Sequence, residues 1–423
     1  MPNVKFPALM LAVALALGAG STVSVAGEQP KPAVSRAAAK PLQAAQAAIQ
    51  AKNWDEALAK LAEAEAMPKK NSYDDYVIAQ FRGMVYANKQ DYASAVKSFE
   101  AQLGSEYASA DDRLRLLKIL SQVHYQLKDY PKSASFGEQL IAAGNTEADT
   151  YTLVGQAYFL QDDHRKVTEF LGGYVNSVEA AGGKPREPTL QLVSESYGKI
   201  GDRAGQAAML EKLVTHYPRP RYWRNVLVMM RDFSGGDRNS DLITLNIYRL
   251  MRETGALREG NDYLEMAELA LKLGSPGEAL EVIKRGSGAQ AYQRDSEKSA
   301  AKDREATASK LEAEDRATLA KFEAEAKAAK AGEGDVRLGQ ALLSYGQTDK
   351  AVEAMQRGIG KGGLRNADEA QILLGLALLR VERKDEAIAA FKATPGKDAK
   401  FAQLARLWSI HAANEPLTDD AEG

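Results

Sequence analysis

The sequence predicts an all-α protein built from about eight or nine stacked helical pairs. Three observations carry this prediction. Glycine, alanine and aromatic residues recur at helical spacings and again at a long, regular period. No segment shows the sustained two-residue alternation with turn residues that is typical of strands. Hydrophobic residues make up 45% of the 423 positions, which supplies enough apolar side chain for a core.

The best-preserved pair starts near Tyr76 and ends at Phe99. Gly83 and Tyr86 have the spacing G-x2-Y, and after a turn Ala95 and Phe99 have the spacing A-x3-F. This is the pattern of the tetratricopeptide repeat (TPR), two antiparallel helices with a period of about 34 residues. Its small residues let the helices approach each other, and the aromatic side chains fill the space between them.

The alanine position in the second helix of each pair recurs along the chain. Its occupants are Ala57, Ala95, Val167, Ala279, Ala351 and Ala387. Their separations are close to one, two or three TPR periods of about 34 residues. A single pair cannot bury its apolar face alone, whereas stacked pairs form a continuous core. The sequence therefore predicts a TPR-like α-solenoid.

A charged, alanine-rich stretch at residues 291–330 interrupts the repeats. It holds nine basic and nine acidic side chains and no glycine or proline. Strong helix formers with alternating charges predict one long helix. Two interpretations stay open: a protruding arm, or a degraded repeat whose alanine face packs on its neighbours.

The predicted organisation has six segments. They are a signal peptide (1–26), a flexible lead-in (27–40), an N-terminal solenoid (41–290), the charged helix (291–332), C-terminal pairs with a capping helix (333–412) and a disordered tail (413–423).

The first residues have the three parts of a secretory signal. Lys5 is followed by an apolar run at 8–18, and Ser24-Val25-Ala26 places small residues before a cleavage position. No later stretch approaches the ~20 apolar residues of a membrane span. We therefore expect a periplasmic protein with no integral membrane span after cleavage.

Composition disfavours most catalytic chemistry. The chain has no cysteine and four histidines, and its net charge of −2 argues against nucleic-acid binding. The glycine run 358–363 lacks the spacing and the hydroxyl of a P-loop. Ser94–Lys97 matches S-x-x-K by chance, because Ala95 is a packing residue. Asp162-Asp163-His164 lies at a turn, where aspartate commonly caps a helix. We expect no enzyme activity, no metal and no cofactor.

A partner protein is expected on the outward face of the first helices, where aromatic and arginine side chains favour binding. The candidate residues are Lys118, Gln122, Tyr125, Gln156, Phe159, Glu195, Lys199, Arg221, Arg224 and Arg231. The three arginines would form a basic end suited to an acidic peptide. The alternative is that this face is simply solvated.

The segments GDVRLGQALLSYGQTDKAVEAMQRGIGKGGL and DYLEMAELALKLGSPGEALEV resemble the periplasmic TPR proteins found with TonB–ExbB–ExbD systems. The step Lys361-Gly362-Gly363-Leu364 and the final Trp408 carry much of the resemblance, from which the charged helix departs. The resemblance implies a non-catalytic envelope accessory with a TonB- or ExbD-like partner. Alternatives are a scaffold for outer-membrane or polysaccharide assembly, or a hydrolase with its site in the Ser234–Asp237 loop or the charged helix.

Overall fold

The computed structural model describes residues 32–231 and 237–414, and every regular element in these ranges is an α-helix. The fold class is therefore all-α, as predicted. The chain divides into two units, Met1–Asp202 and Arg203–Gly423. No helix in the described ranges is both long and apolar enough to span a bilayer. The signal peptide, Ser234-Gly235-Gly236 and residues 415–423 lie outside the described residues.

Unit 1 contains nine helices among its described residues, and successive helices pack against each other. They are α1 (Arg36–Gln50), α2 (Trp54–Glu65), α3 (Ser72–Asn88), α4 (Tyr92–Leu103), α5 (Ala110–Gln126), α6 (Tyr130–Ala142), α7 (Ala148–Phe159), α8 (His164–Ala180) and α9 (Glu187–Lys199). Helix α1 begins within the stretch expected to be a lead-in, because Ser35 caps it and Ala38 and Leu42 are buried.

Unit 2 contains eleven helices among its described residues. They are α10 (Arg203–His216), α11 (Pro220–Met230), α12 (Arg238–Glu253), α13 (Gly260–Lys272), α14 (Pro276–Gly288), α15 (Asp295–Ala328), α16 (Glu333–Ser344), α17 (Thr348–Lys361), α18 (Ala367–Arg380), α19 (Lys384–Lys392) and α20 (Ala399–Ala413).

The turns inside the pairs of unit 1 share one design. A residue with positive φ ends the first helix, and a polar residue then caps the second. At the fourth such turn, between α7 and α8, Asp162 has a φ of 58°, and the Asp163 carboxylate accepts a hydrogen bond from the Lys166 amide at 3.1 Å. The capping role predicted for Asp162-Asp163-His164 is confirmed.

The repeating alanine position is a core position. All six of its predicted occupants, from Ala57 to Ala387, are completely buried. In the pair formed by α5 and α6, Ser133 takes this position and is equally buried. Its hydroxyl donates to the Ser121 carbonyl at 2.8 Å, and the Ser121 hydroxyl donates to the Ser133 carbonyl at 2.8 Å. The period read from the sequence therefore marks close helix–helix contacts.

A second contact recurs in four pairs, between a glycine of the first helix and a large residue sixteen positions later. The glycine positions leave room for that residue, since a Cβ atom there would lie 2.2 to 2.5 Å from its side chain. The four pairs are Gly83 with Phe99, Gly155 with Leu171, Gly339 with Met355, and Gly375 with Phe391. These glycines lie inside helices. Glycine is therefore needed there because it leaves space for the neighbouring side chain, not because the backbone adopts a positive φ.

We expect Gly83→Ala to destabilise unit 1 by about 1–3 kcal/mol, the usual cost of overpacking. The added methyl group would lie 2.5 Å from the buried Phe99 ring. Gly173→Ala is the matched control: it lies inside α8 with no atom within 4 Å of the added Cβ, so we expect a gain of about 0.5–1 kcal/mol. Hydrogen exchange of α3 and α4 measures the effect. Equal exchange in both variants would contradict the packing role of Gly83.

The charged helix α15 packs within unit 2, against α13, α14 and α16. Its buried side chains include Ala301, Ala308 and Ala326. Near its middle, Asp315 accepts a hydrogen bond from the Tyr345 hydroxyl at 2.5 Å, and the Arg316 guanidinium lies 4.0 Å from the centre of the Tyr345 ring. Of the two interpretations of this segment, the structure therefore supports the one in which its alanine face packs on neighbouring helices.

Helix α20 returns to the beginning of unit 2. Besides α18 and α19 it contacts α10 and α12. Arg406 forms an ion pair with Glu211 at 3.3 Å, and the Asn414 side chain donates to the Val214 carbonyl at 3.3 Å. The sequence predicts a capping helix at this position; the structure adds that the cap joins the last pair of unit 2 to its first helices.

Candidate functional site

The predicted partner-binding residues of α5 and α7 lie side by side in unit 1. The Tyr125 hydroxyl donates to the Gln156 side-chain oxygen at 3.4 Å, and the Tyr125 ring meets Tyr130 edge-on with centres 5.5 Å apart. Phe159 makes a similar edge contact with His164 at 5.0 Å. Gln122, Tyr125, Gln156 and Phe159 are all half-buried. Two aromatic side chains are thus held in place while part of each stays in contact with solvent.

Three aliphatic residues of unit 1 are exposed at the ends of first helices. Leu127 is 40% exposed at the end of α5, Leu160 is 37% exposed at the end of α7, and Ile200 is 38% exposed at the end of α9. Each follows the first helix of its pair at the same position, so three consecutive pairs expose an aliphatic side chain at an equivalent place. Together with Tyr125 and Phe159 they form what we call the apolar edge. Sequence reasoning missed these three residues, although their shared position in the repeat could have shown them.

The charged members of the predicted set differ in their surroundings. Lys118 forms an ion pair with Glu147 of the next turn, while Glu195 and Lys199 are exposed on α9. An exposed pair of this kind contributes only about 0–1 kcal/mol, so it can be exchanged for contacts with a partner at little cost.

The predicted basic end does not present three unpaired arginines. Arg224 forms ion pairs with Asp262 at 2.5 Å and Glu259 at 2.7 Å. Arg231 lies 3.5 Å from Glu265 and donates to the Tyr248 hydroxyl. Arg221 stacks on the Tyr222 ring at 4.7 Å. Arg221 and Arg224 lie on α11 and Arg231 follows its last residue, and carboxylates of α13 already compensate the charges of Arg224 and Arg231.

Unit 2 contains a buried charge network that the sequence analysis missed. Arg249 of α12 binds Glu278 of α14 through two nitrogens, with its Nη2 2.7 Å and its Nε 2.9 Å from the carboxylate oxygens. Only 1% of the Arg249 side chain and 8% of the Glu278 side chain are exposed. The network also includes Arg252, Glu253, Glu281, Glu369 and Arg380.

The carboxylates of the network have opposite pKa shifts. Burial alone would raise the pKa of Glu278, but the nearby Arg249 and Arg252 guanidinium groups outweigh burial and lower this pKa to about 2. The pKa of Glu253 is lowered in the same way by Arg252 and Arg380. Burial dominates at Glu369 and raises its pKa, since Arg249 is 3.7 Å away and one carboxylate oxygen has no hydrogen-bond partner among the described residues. In all, the buried charge network contains three guanidinium groups and four carboxylates.

Two cavities open on either side of the network. One, of about 390 Å³, lies among α12, α15, α16 and α18 and includes Glu369 in its wall. The other, of about 590 Å³, includes Arg252, Arg380 and the α20 residues His411 and Asn414, and we call it the α20 cavity. Within the described residues, no group of three or more His, Cys, Asp and Glu side chains is placed to hold a metal ion.

Two of the histidines pack against aromatic rings. His124 is buried and stacks on Phe136, with ring centres 5.4 Å apart. His411 lies edge-on to Trp223 at 6.0 Å, and burial lowers the pKa of its imidazole.

Lys361 of the glycine run pairs with Asp335 at 2.7 Å, which supports the interpretation of residues 358–363 as the end of a repeat.

Comparison with known families identifies one repeat class. Residues 336–400 match the family model of the tetratricopeptide repeat. This span runs from within α16 to the start of α20 and contains the last two helical pairs. The chain therefore carries tetratricopeptide repeats in this segment, which confirms the TPR pattern predicted there. No curated protein matches the chain.

Solved structures that match this chain include proteins from Parabacteroides merdae and from yeast. A tetratricopeptide repeat protein from Parabacteroides merdae is 11% identical, with 63% of this chain and 98% of that chain covered and a TM-score of 0.32. Yeast Tom70 is 12% identical, with 89% and 95% covered and a TM-score of 0.22. The TPR2AB domain of yeast Sti1, in its pHSP90 complex, is 11% identical, with 72% and 100% covered and a TM-score of 0.21.

Proposed function

We propose that this chain is a non-enzymatic TPR adaptor that holds a segment of another cell-envelope protein on the apolar edge of unit 1. The observation that carries the proposal is the exposure of three aliphatic side chains, Leu127, Leu160 and Ile200, at the equivalent position of three consecutive helical pairs. Two of these residues follow helices that also hold the half-buried rings of Tyr125 and Phe159. A segment that follows the edge would bury these side chains and the aromatic rings together. Aromatic anchors ringed by polar residues supply most of the energy in protein interfaces.

The partner we propose is a TonB- or ExbD-like component, and the compartment is the periplasm. The signal-peptide pattern at residues 1–26 supports export, and the resemblance of the carboxy-terminal repeats to TonB-associated proteins supports this partner. The polar surroundings of the apolar edge, including Gln122, Gln156 and the exposed pair Lys118–Glu147, are typical of an interface rim.

In vivo photo-crosslinking tests the proposal. A photoreactive amino acid is placed at position 125 or 159, and the adducts are identified by mass spectrometry. Position 139 is the control, because Gln139 is exposed on α6, the second helix of its pair. We expect adducts from 125 and 159 and none from 139. Leu127→Glu together with Leu160→Glu should reduce the yield at least tenfold, since each carboxylate would have to be desolvated at the interface.

The identity of the adduct decides the finer proposal. Recovery of TonB or ExbD supports the energy-transduction adaptor. Recovery of an outer-membrane or polysaccharide assembly protein keeps the adaptor and discards the TonB-type partner. Equal crosslinking from positions 125, 159 and 139, or none from any of them, would show that the apolar edge is not the binding surface.

A further inference from the structure

We propose that the α20 cavity of unit 2 binds residues 415–423 of this same chain, so that an acidic segment of the protein occupies its own site. The inference concerns a different unit and a different surface from the adaptor function, and neither depends on the other.

The residue that precedes this segment, Asn414, lies in the wall of the α20 cavity. Helix α20 ends at Ala413, and Asn414 lies in the cavity wall with extended backbone angles of −80° and 153°. The Lys384 ammonium donates to the Ala413 carbonyl at 3.2 Å, and the Asn414 side chain is fixed on Val214. The last described residue of the chain therefore lies in the cavity wall. Nine extended residues can span about 30 Å, which is ample for a cavity of this size.

The charges of the cavity and the segment are complementary. Four cationic side chains line the cavity, against two carboxylates, those of Glu253 and Glu382. Arg252 and Arg380 are engaged with Glu253. Arg285 and Lys384 are exposed, and neither has a carboxylate within 4 Å in the described part of the chain. Residues 415–423 contain four carboxylates and no basic side chain.

The apolar part of the cavity also fits the segment. Trp223, Leu379, Pro218 and Pro220 lie in its wall. The segment reads Glu-Pro-Leu-Thr-Asp-Asp-Ala-Glu-Gly, so Pro416 and Leu417 precede the main acidic cluster. A volume of about 590 Å³ is in the range of cavities that enclose a ligand in proteins. A short apolar and acidic peptide is thus the ligand class that this lining favours.

Distance measurement between two spin labels tests the proposal on the full chain. Because the sequence contains no cysteine, Ala421→Cys with Ser287→Cys gives two defined label sites, one in the segment and one on the exposed face of α14 beside Arg285. Electron–electron resonance should give one narrow distance at low salt. At ~1 M salt, where the Debye length falls to about 3 Å, the distribution should broaden.

Charge reversal supplies the control. Arg285→Glu with Lys384→Glu should abolish the narrow distance, and adding Asp419→Lys with Asp420→Lys should restore it. Lys392→Glu, an exposed residue on the same helix as Lys384 that is not part of the cavity, should leave the distance unchanged. A broad distribution in the unmodified pair would overturn the proposal. A narrow distance that survives reversal of Arg285 and Lys384 would overturn it as well.

Discussion

Glu278→Gln is expected to lower the free energy of unfolding of unit 2 by about 3–5 kcal/mol, the usual cost of breaking a buried ion pair. The carboxylate accepts three hydrogen bonds from Arg249, and Arg252 lies 3.5 Å away. The amide would remove the charge that compensates two buried guanidinium groups. Urea unfolding followed by tryptophan fluorescence measures the loss, since Trp223 and Trp408 both lie in unit 2.

The control for this variant is Glu281→Gln, on the same helix and in the same network but 39% exposed. Solvent screens its interactions, so we expect a change below about 1 kcal/mol. If the Glu278 and Glu281 variants were equally stable, the buried pair would not be a main source of stability in unit 2.

The same carboxylate makes stability depend on pH. The folded-state pKa of Glu278 is about 2, below the value of 4.5 for a free side chain. Such a group stabilises the fold above its unfolded pKa, and this contribution is lost as pH falls through the folded pKa. We expect the wild type to lose stability between pH 4.5 and about 2 more steeply than the Glu278→Gln variant.

Trp408→Ala is expected to destabilise unit 2 by about 3–5 kcal/mol, the range for removing a buried aromatic residue. Trp408 is fully buried in α20 and stacks on Phe391 with ring centres 5.5 Å apart. Because α20 also contacts α10 and α12, hydrogen exchange in those two helices should rise in the variant. Unchanged exchange there would mean that α20 does not stabilise the beginning of unit 2.

Trp408→Phe separates packing from hydrogen bonding. The indole nitrogen is buried and has no hydrogen-bond partner in the part of the chain that the structure describes, so replacing the ring by phenyl removes an unsatisfied donor along with some volume. We expect this variant to lose less stability than Trp408→Ala. A larger loss would indicate that the indole N–H has a partner in solution.

Contacts between neighbouring repeats could be predicted from the sequence. The period of the alanine position identifies residues such as Ala95 and Val167 that are fully buried, and the spacing of sixteen between Gly83 and Phe99 belongs to a single pair. Both patterns reflect local geometry, in which each helix meets the next. A periodic sequence carries this information directly.

Contacts between distant repeats could not be predicted in this way. Glu369 approaches Arg249 from 120 positions along the chain, and Arg406 pairs with Glu211 across 195 positions. These contacts depend on the rotation that accumulates over many helical pairs. The sequence of a single repeat does not determine that rotation. The basic end shows the same limit on a smaller scale: helical periodicity places Arg224 outward, but the position of Asp262 opposite it depends on how α13 packs.

The return of α20 to α10 and α12 has a consequence for how the two units form. Unit 1 is made of contacts between helices close in sequence, so its pairs can fold one after another along the chain. Unit 2 completes its contacts only when residues near 400 meet residues near 211, and closing so long a loop slows folding. Until then the contacts of α20 with α10 and α12 are missing, so the docking of the final helix is the step that completes unit 2.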